Sequence, residues 1–149
     1  MSVLNNAVLL AGAAAWTICQ ITKTIIHLII NKRLVWERLV GDGGMPSSHS
    51  ATVCAVAAMT GLRCGWDSPL FALACTMAVI VMHDARGVRQ ETGKQARVIN
   101  SMLELFDSMG RGLLTPEETL KEFVGHTGRQ VAVGAIFGIA TALVVHRLL

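Results

Sequence analysis

GGMPSSHSA, residues 43–51, brings a glycine pair, a proline, three serine hydroxyls and an imidazole into one short stretch of chain. Proline suits the first turn of a helix, so the pattern predicts a helix starting at Pro46 with Ser47, Ser48 and His49 in its first turn. Unused backbone N–H groups and the helix dipole make such a start an anion site. The serine hydroxyls add donors, and the imidazole can give or take a proton near neutral pH. Together they could hold a phosphate and protonate a leaving oxygen. The alternative is a capped helix start with a solvated histidine.

A second imidazole, His126, follows Gly125 at the start of the last apolar run. Phosphoryl transfer through a covalent intermediate needs one group to attack phosphorus and another to protonate the leaving group on the far side. Two histidines at two helix starts on one membrane face would meet that need. Otherwise His126 is an ordinary helix-end residue.

Lys23 stands inside the first apolar run, with Gln20 and His27 within about 60° of it around a helix. A lysine in a membrane span usually faces a bundle interior or wet cavity, or else snorkels to the headgroups. From an interior position it could reach a phosphate. Asp84 closes the third apolar run, and Arg86 and Arg89 follow it. Asp84, Gly87, Val88, Glu91 and Gln95 share one helical face. An Asp84 pair with Arg89 or Lys23, and Arg89 as a phosphate clamp, are the functional readings; a solvated interfacial cluster is the other.

The elements that must position these groups are helices in a membrane. Hydrophobic residues make up 52% of the 149 and charged residues 15%, against about 45–50% and about 25% in globular proteins. The expected fold is all-α: one membrane-embedded helical domain, residues 1–149, with about four spans at 7–30, 46–62, 70–84 and 129–148. The first run lacks a basic leader and carries Gln20 and Lys23, so it reads as a permanent helix rather than a signal peptide.

Between the last two runs, DARGVRQETGKQARVINSMLELF reads as an amphipathic helix that could continue the third span. DSMGRG reads as a loop, and Thr115-Pro116-Glu117-Glu118 as the start of a short helix reaching about Val124. Gly134 and Gly138 form GxxxG in the last span, for packing within the chain or for a homo-oligomer.

Lys and Arg set the expected topology. The N-terminal tail has none and the second connection only Arg63. The first connection has Lys32, Arg33 and Arg38; the third has Arg86, Arg89, Lys94, Arg97, Arg111 and Lys121. Four spans put both basic connections on one side, the cytoplasmic type. The net charge of +3, without an aromatic-plus-basic surface, argues against nucleic acid. Cys19, Cys54, Cys64 and Cys75 include no C-x-x-C pair and read as unpaired thiols.

Three stretches together resemble the divergent type 2 phosphatidic acid phosphatase family, related to the vanadium-dependent haloperoxidases. They are GGMPSSHSA at 43–51, HDARGVRQETGKQARVIN at 83–100 and LKEFVGHTGRQVAVGAIFGI at 120–139. The resemblance implies metal-independent, cofactor-free hydrolysis of a membrane lipid phosphate. The wider family's pattern is K-x6-R-P, then P-S-G-H, then S-R-x5-H-x3-D. Pro46-Ser47-Ser48-His49 matches the second motif, with Ser47 and the Ser48 amide implied to bind phosphate and His49 implied to be the general acid. His126 falls on the third motif's nucleophile. The departures are specific. Gln130 stands where the family has aspartate; it could orient the imidazole by a hydrogen bond but not by charge. Leu120 stands at the arginine position, with Lys121 beside it. No K-x6-R-P is present; Lys23 would replace its lysine, and Arg33 or Arg38 its arginine.

The leading expectation is a lipid phosphate phosphatase acting through phosphohistidine, with Lys23, Ser47, Ser48, Arg89 and Lys121 binding substrate and Gln130 and Asp84 orienting. The alternative is a non-catalytic membrane protein that keeps an anion or lipid-headgroup site. A small transporter or channel subunit rests on the polar stripe of the first span alone.

Overall fold

The computed structural model describes residues 5–32, 44–111, 120 and 125–149; for Arg89 and Arg111 it describes the backbone only. Every regular element among them is helical: α1 (Ala7–Asn31), α2 (Ser48–Cys64), α3 (Pro69–Arg86), α4 (Val88–Phe106) and α5 (Gly128–Leu148).

Local sequence sets where each helix begins. The Asn6 side chain accepts from the Val8 and Leu9 amides. Ser68 caps α3 through the Phe71 amide, with Pro69 behind it in the first turn. Both are standard solutions for N–H groups that the helix itself cannot pair. α2 begins two residues later than the proline suggested. Ser47 is its cap, accepting from the Ser50 amide at 3.4 Å, and Pro46 lies outside the helix, buried, after a cis Met45–Pro46 peptide. A serine side chain can satisfy a first-turn amide and a proline cannot, so the cap falls on Ser47.

α2 is the central helix, packed by α1, α3 and α5, and α1 also meets α5. The core they share is made of small residues: Ala11, Ala15, Cys19, Ala51, Ala55, Ala58 and Ala142, with Met59 the one large side chain. The large apolar side chains point outward, among them Ile29, Leu73, Ile80 and Ile136. That is the reverse of a water-soluble bundle. It is what lipid requires, because apolar side chains lose nothing by facing acyl chains and helices associate by close approach of small residues. α1, the α3–α4 run and α5 are long and apolar enough to cross a membrane; α2, at 17 residues, is the shortest of the four bundle helices.

The GxxxG pair is engaged within the chain. A Cβ on Gly134 would collide with the Ser47 carbonyl, and one on Gly138 with the Ala51 carbonyl. These glycines let the backbones of α2 and α5 touch, the within-chain alternative for this motif.

α4 continues α3 in one long run, as the sequence allowed: only Gly87 interrupts the two, and across it the Gly87 amide donates to the His83 carbonyl at 2.8 Å and the Glu91 amide to the Gly87 carbonyl at 3.0 Å. Beyond this run the third connection differs from expectation. Asp107–Arg111, expected as a loop, prolongs α4 as a π-helical turn, in which the Ser108 hydroxyl donates to the Leu105 carbonyl. Of the short helix expected to reach about Val124, only Leu120 is described; it is not helical there, and its backbone N–H and carbonyl both pair with the Asn100 side chain. Residues Arg33, Arg38 and Lys121 lie outside the described residues.

Candidate active site

Two backbone hydrogen bonds assemble the site. The Ser47 amide donates to the Gln130 carbonyl at 3.2 Å, and the His126 amide donates to the Ala85 carbonyl at 2.9 Å. The start of α2, the start of α5 and the end of α3 therefore meet. α2 and α5 run one way, and α3 runs the other. Lys23, in the second half of α1, donates to the Ser48 hydroxyl at 3.0 Å, which brings α1 to the same place. Two helix N-termini, each carrying about half a positive charge, converge on one locus.

At that locus the His49 and His126 rings stand edge to face, with centroids 5.8 Å apart and planes at 61°. His126 is 3% exposed. His49 is half-buried and lines a cavity. The spatial expectation that these imidazoles converge at adjoining helix starts agrees with this geometry.

The serines divide the work. Ser48 turns its hydroxyl to Lys23, which is 6% exposed and so lies in the bundle interior rather than snorkelling. Ser47 is fully buried: its oxygen caps α2 and also accepts from the Ser50 hydroxyl at 3.1 Å. Its amide and oxygen thus position the α2 start. The amides of Ser48 and His49, in the first turn, are the ones that α2's own ladder leaves for an anion.

Gln130 bonds the backbone just after His126. Its side-chain oxygen accepts from the Thr127 amide at 2.9 Å, while the Thr127 hydroxyl accepts from the Gln130 amide. This is a capping box, so Gln130 fixes His126 through the backbone that follows it. The local reason is the threonine three positions before it. Asp84 is half-buried in α3, adjacent to Ala85, whose carbonyl holds His126. The backbone of Arg89 lies in α4, beyond Gly87.

A basic group not assigned from sequence lies at the start of α5. The Arg86 guanidinium lies over Gly128, where a Cβ would sit 3.5 Å from its Nε. A cation over a helix N-terminus is unfavourable by itself; an anion held between them reverses the sign. The available signal was the missing side chain at Gly128, which leaves room for a long residue from α3.

Two cavities flank the Lys23–Ser48 pair. One, of about 140 Å³, lies toward the end of α1 among Lys23, His27, Asn31, Gly44 and Met45. The other, of about 230 Å³, lies deeper, among Trp16, Gln20, Ser48, His49, Thr52 and Val81.

The family model described as Divergent PAP2 family matches residues 4–141, which include α1 to α4 and the start of α5. The chain is also similar to a protein of Bacillus subtilis (strain 168), described as uncharacterized membrane protein YuiD. The two are 39% identical over 152 residues, covering 97% of this chain and 96% of that one. No solved structure matches the chain. On the extent of the family match and of this similarity, the chain is a membrane protein that belongs to the divergent PAP2 family.

Proposed function

We propose that the protein is a lipid phosphate phosphatase in which His126 attacks phosphorus and His49 protonates the departing alkoxide. The observation that carries this reading is the 5.8 Å approach of the two imidazoles at paired helix starts. The N–P bond to His126 forms as the P–O bond to the lipid breaks, and the His49 proton goes to the leaving oxygen. Water then attacks the phosphohistidine, His49 takes its proton, and the N–P bond breaks to release phosphate. The scheme uses side chains and backbone alone. Lys23, Arg86, the amides of Ser48 and His49 and the two helix dipoles offset the equatorial charge.

In-line transfer places the attacking nitrogen about 3 Å from phosphorus and the acid nitrogen about 3 Å beyond the leaving oxygen. Rings in edge contact are closer together than that. His126 is packed in, whereas His49 borders open volume. His49 is therefore the ring that turns aside to admit the phosphoryl group. The sequence between α1 and α2 and that between α3 and α5 hold most of the Lys and Arg residues, Lys32, Lys94 and Arg97 among them, which favours a cytoplasmic-type orientation for the site.

A second reading, a lipid-headgroup binder without turnover, is favoured by one observation: Gln130 is committed to the cap, and it supplies no charge to an imidazolium at residue 126. Purified protein in nanodiscs, given a panel of lipid phosphates and assayed for both binding and phosphate release, separates the two. Release that is lost in His126→Ala supports the phosphatase; binding to the same lipids without release supports the binder.

A further inference from the structure

α4 takes no part in the chemistry above, yet one of its faces is closed off. Gly93, Ala96 and Asn100, at helical spacing, are buried, while Val98, Ile99 and Met102 around them are exposed. Asn100 is the polar member of that face, and its carboxamide is matched to one distant residue. Its Nδ2 donates to the Leu120 carbonyl at 2.9 Å, and its Oδ1 accepts from the Leu120 amide at 3.0 Å. A side chain that pairs both backbone groups of a residue fixes that residue in place and in orientation. Six positions later the same chain is fixed again, where the His126 amide donates to the Ala85 carbonyl at 2.9 Å. Gly125, at φ 94°, turns the chain into that second anchor, a backbone value that favours glycine. Six residues reach about 20–22 Å at most. The helical run from Ala85 to Asn100, the residues that hold the two anchors, rises about 22 Å. The two lengths nearly match, so the hold on Leu120 bounds the freedom of His126.

We propose that Asn100 is a positioning residue for His126: by clasping Leu120 it fixes the chain that enters the start of α5, and so keeps the His126 ring in edge contact with His49. The capping box of Thr127 and Gln130 fixes the chain after His126; Asn100 fixes the chain before it. α4 is then the rail against which the imidazole is aimed. The residue type suits the task. A carboxamide carries a donor and an acceptor side by side in one plane, which is what a peptide's N–H and carbonyl require. Aspartate keeps the shape and the acceptor but loses the donor; alanine loses both. The consequence for rate rests on the phosphatase reading, in which a displacement of about 1 Å at the attacking nitrogen can cost about 10²-fold. The placement of the ring stands without that reading.

The test uses the full chain in detergent, with isotope-labelled histidine and no substrate. The wild-type protein should show an NMR cross-peak between the rings of His49 and His126, assigned by its loss in His49→Ala and in His126→Ala. Asn100→Ala and the isosteric Asn100→Asp should both lose it while keeping wild-type helix content by circular dichroism. In the same variants, phosphorylation of residue 126 by p-nitrophenyl phosphate, followed by rapid quench, should slow by about 10- to 100-fold, with the half-saturating concentration unchanged. A cross-peak that survives in either folded variant, or phosphorylation at the wild-type rate, would overturn the assignment. If Asn100→Ala does not fold, Asn100→Asp decides, since it preserves packing and removes only the donor. If the wild-type protein is not phosphorylated, the phosphatase reading fails, and the cross-peak alone decides the role of Asn100.

Discussion

The Ser47 amide donates to the Gln130 carbonyl at 3.2 Å, and this bond sets the start of α2 against the first turn of α5. Each of these residues also caps its own helix, Ser47 through Ser50 and Gln130 through Thr127. The histidines beside them therefore inherit their separation from backbone geometry, which is stiffer than any side-chain contact between them.

The mechanism makes the two imidazoles unequal. His126→Ala should abolish phosphate release and the acid-labile phosphoprotein together. His49→Ala should lower release by about 10²- to 10⁴-fold, the usual contribution of a general acid, while phosphorylation of residue 126 persists with a substrate whose leaving group needs no proton, such as p-nitrophenyl phosphate. Rapid-quench labelling distinguishes the two patterns.

The same roles predict a bell-shaped pH profile. His126 must be neutral to attack, so activity falls on the acid side as it protonates. His49 must be protonated to act as the acid, so activity falls on the alkaline side as it loses its proton. In His49→Ala the alkaline limb should disappear and the acid limb remain. Loss of the acid limb instead would exchange the two assignments.

Arg86 extends from α3 over Gly128, at the start of α5. Arg86→Ala should weaken turnover by about 10- to 100-fold, the scale of one charge-assisted hydrogen bond to phosphate. Arg86→Lys should recover part of it, since lysine keeps the charge but not the planar fork. An unchanged kcat/KM in Arg86→Ala would remove this residue from the phosphate site.

Gly138 carries the closest backbone approach between α2 and α5, against the Ala51 carbonyl. Gly138→Ala should destabilise the bundle by about 1–3 kcal/mol through overpacking, read as a lower midpoint of thermal unfolding in detergent. Gly134→Ala should in addition lower activity, because Gly134 lies on Ser47 itself.

Gln130→Ala removes one half of the capping box and should cost about 1 kcal/mol, with a smaller effect on activity than His49→Ala. Gln130→Glu preserves the acceptor that the Thr127 amide uses and should keep wild-type stability. A loss of activity in Gln130→Ala as complete as in His126→Ala would show that the carboxamide acts on the ring after all.

The helices were legible because lipid leaves long apolar runs little choice of structure, and the positions of His49 and His126 followed from the glycines and proline before them. What sequence could not supply was the meeting of distant groups. Arg86 meets Gly128 only because the end of α3 packs against the start of α5, a contact that spacing along the chain does not show. Gln130 invited a bond to the imidazole because it lies one helical turn beyond it, yet Thr127 is a nearer partner within the same first turn. Ser47 caps α2, a role that sequence does not separate from anion binding, since the hydroxyl that satisfies a helix start is indistinguishable there from one that binds an anion.

Lys23 lies about 12 Å short of the end of α1 at 1.5 Å per residue, with open volume on both sides of it. On the proposed reaction, the two products would leave by opposite doors. The greasy alcohol would slip sideways into the bilayer, and inorganic phosphate would escape along α1 toward water. Such a split exit would oppose re-esterification and give the reaction a direction without any moving lid.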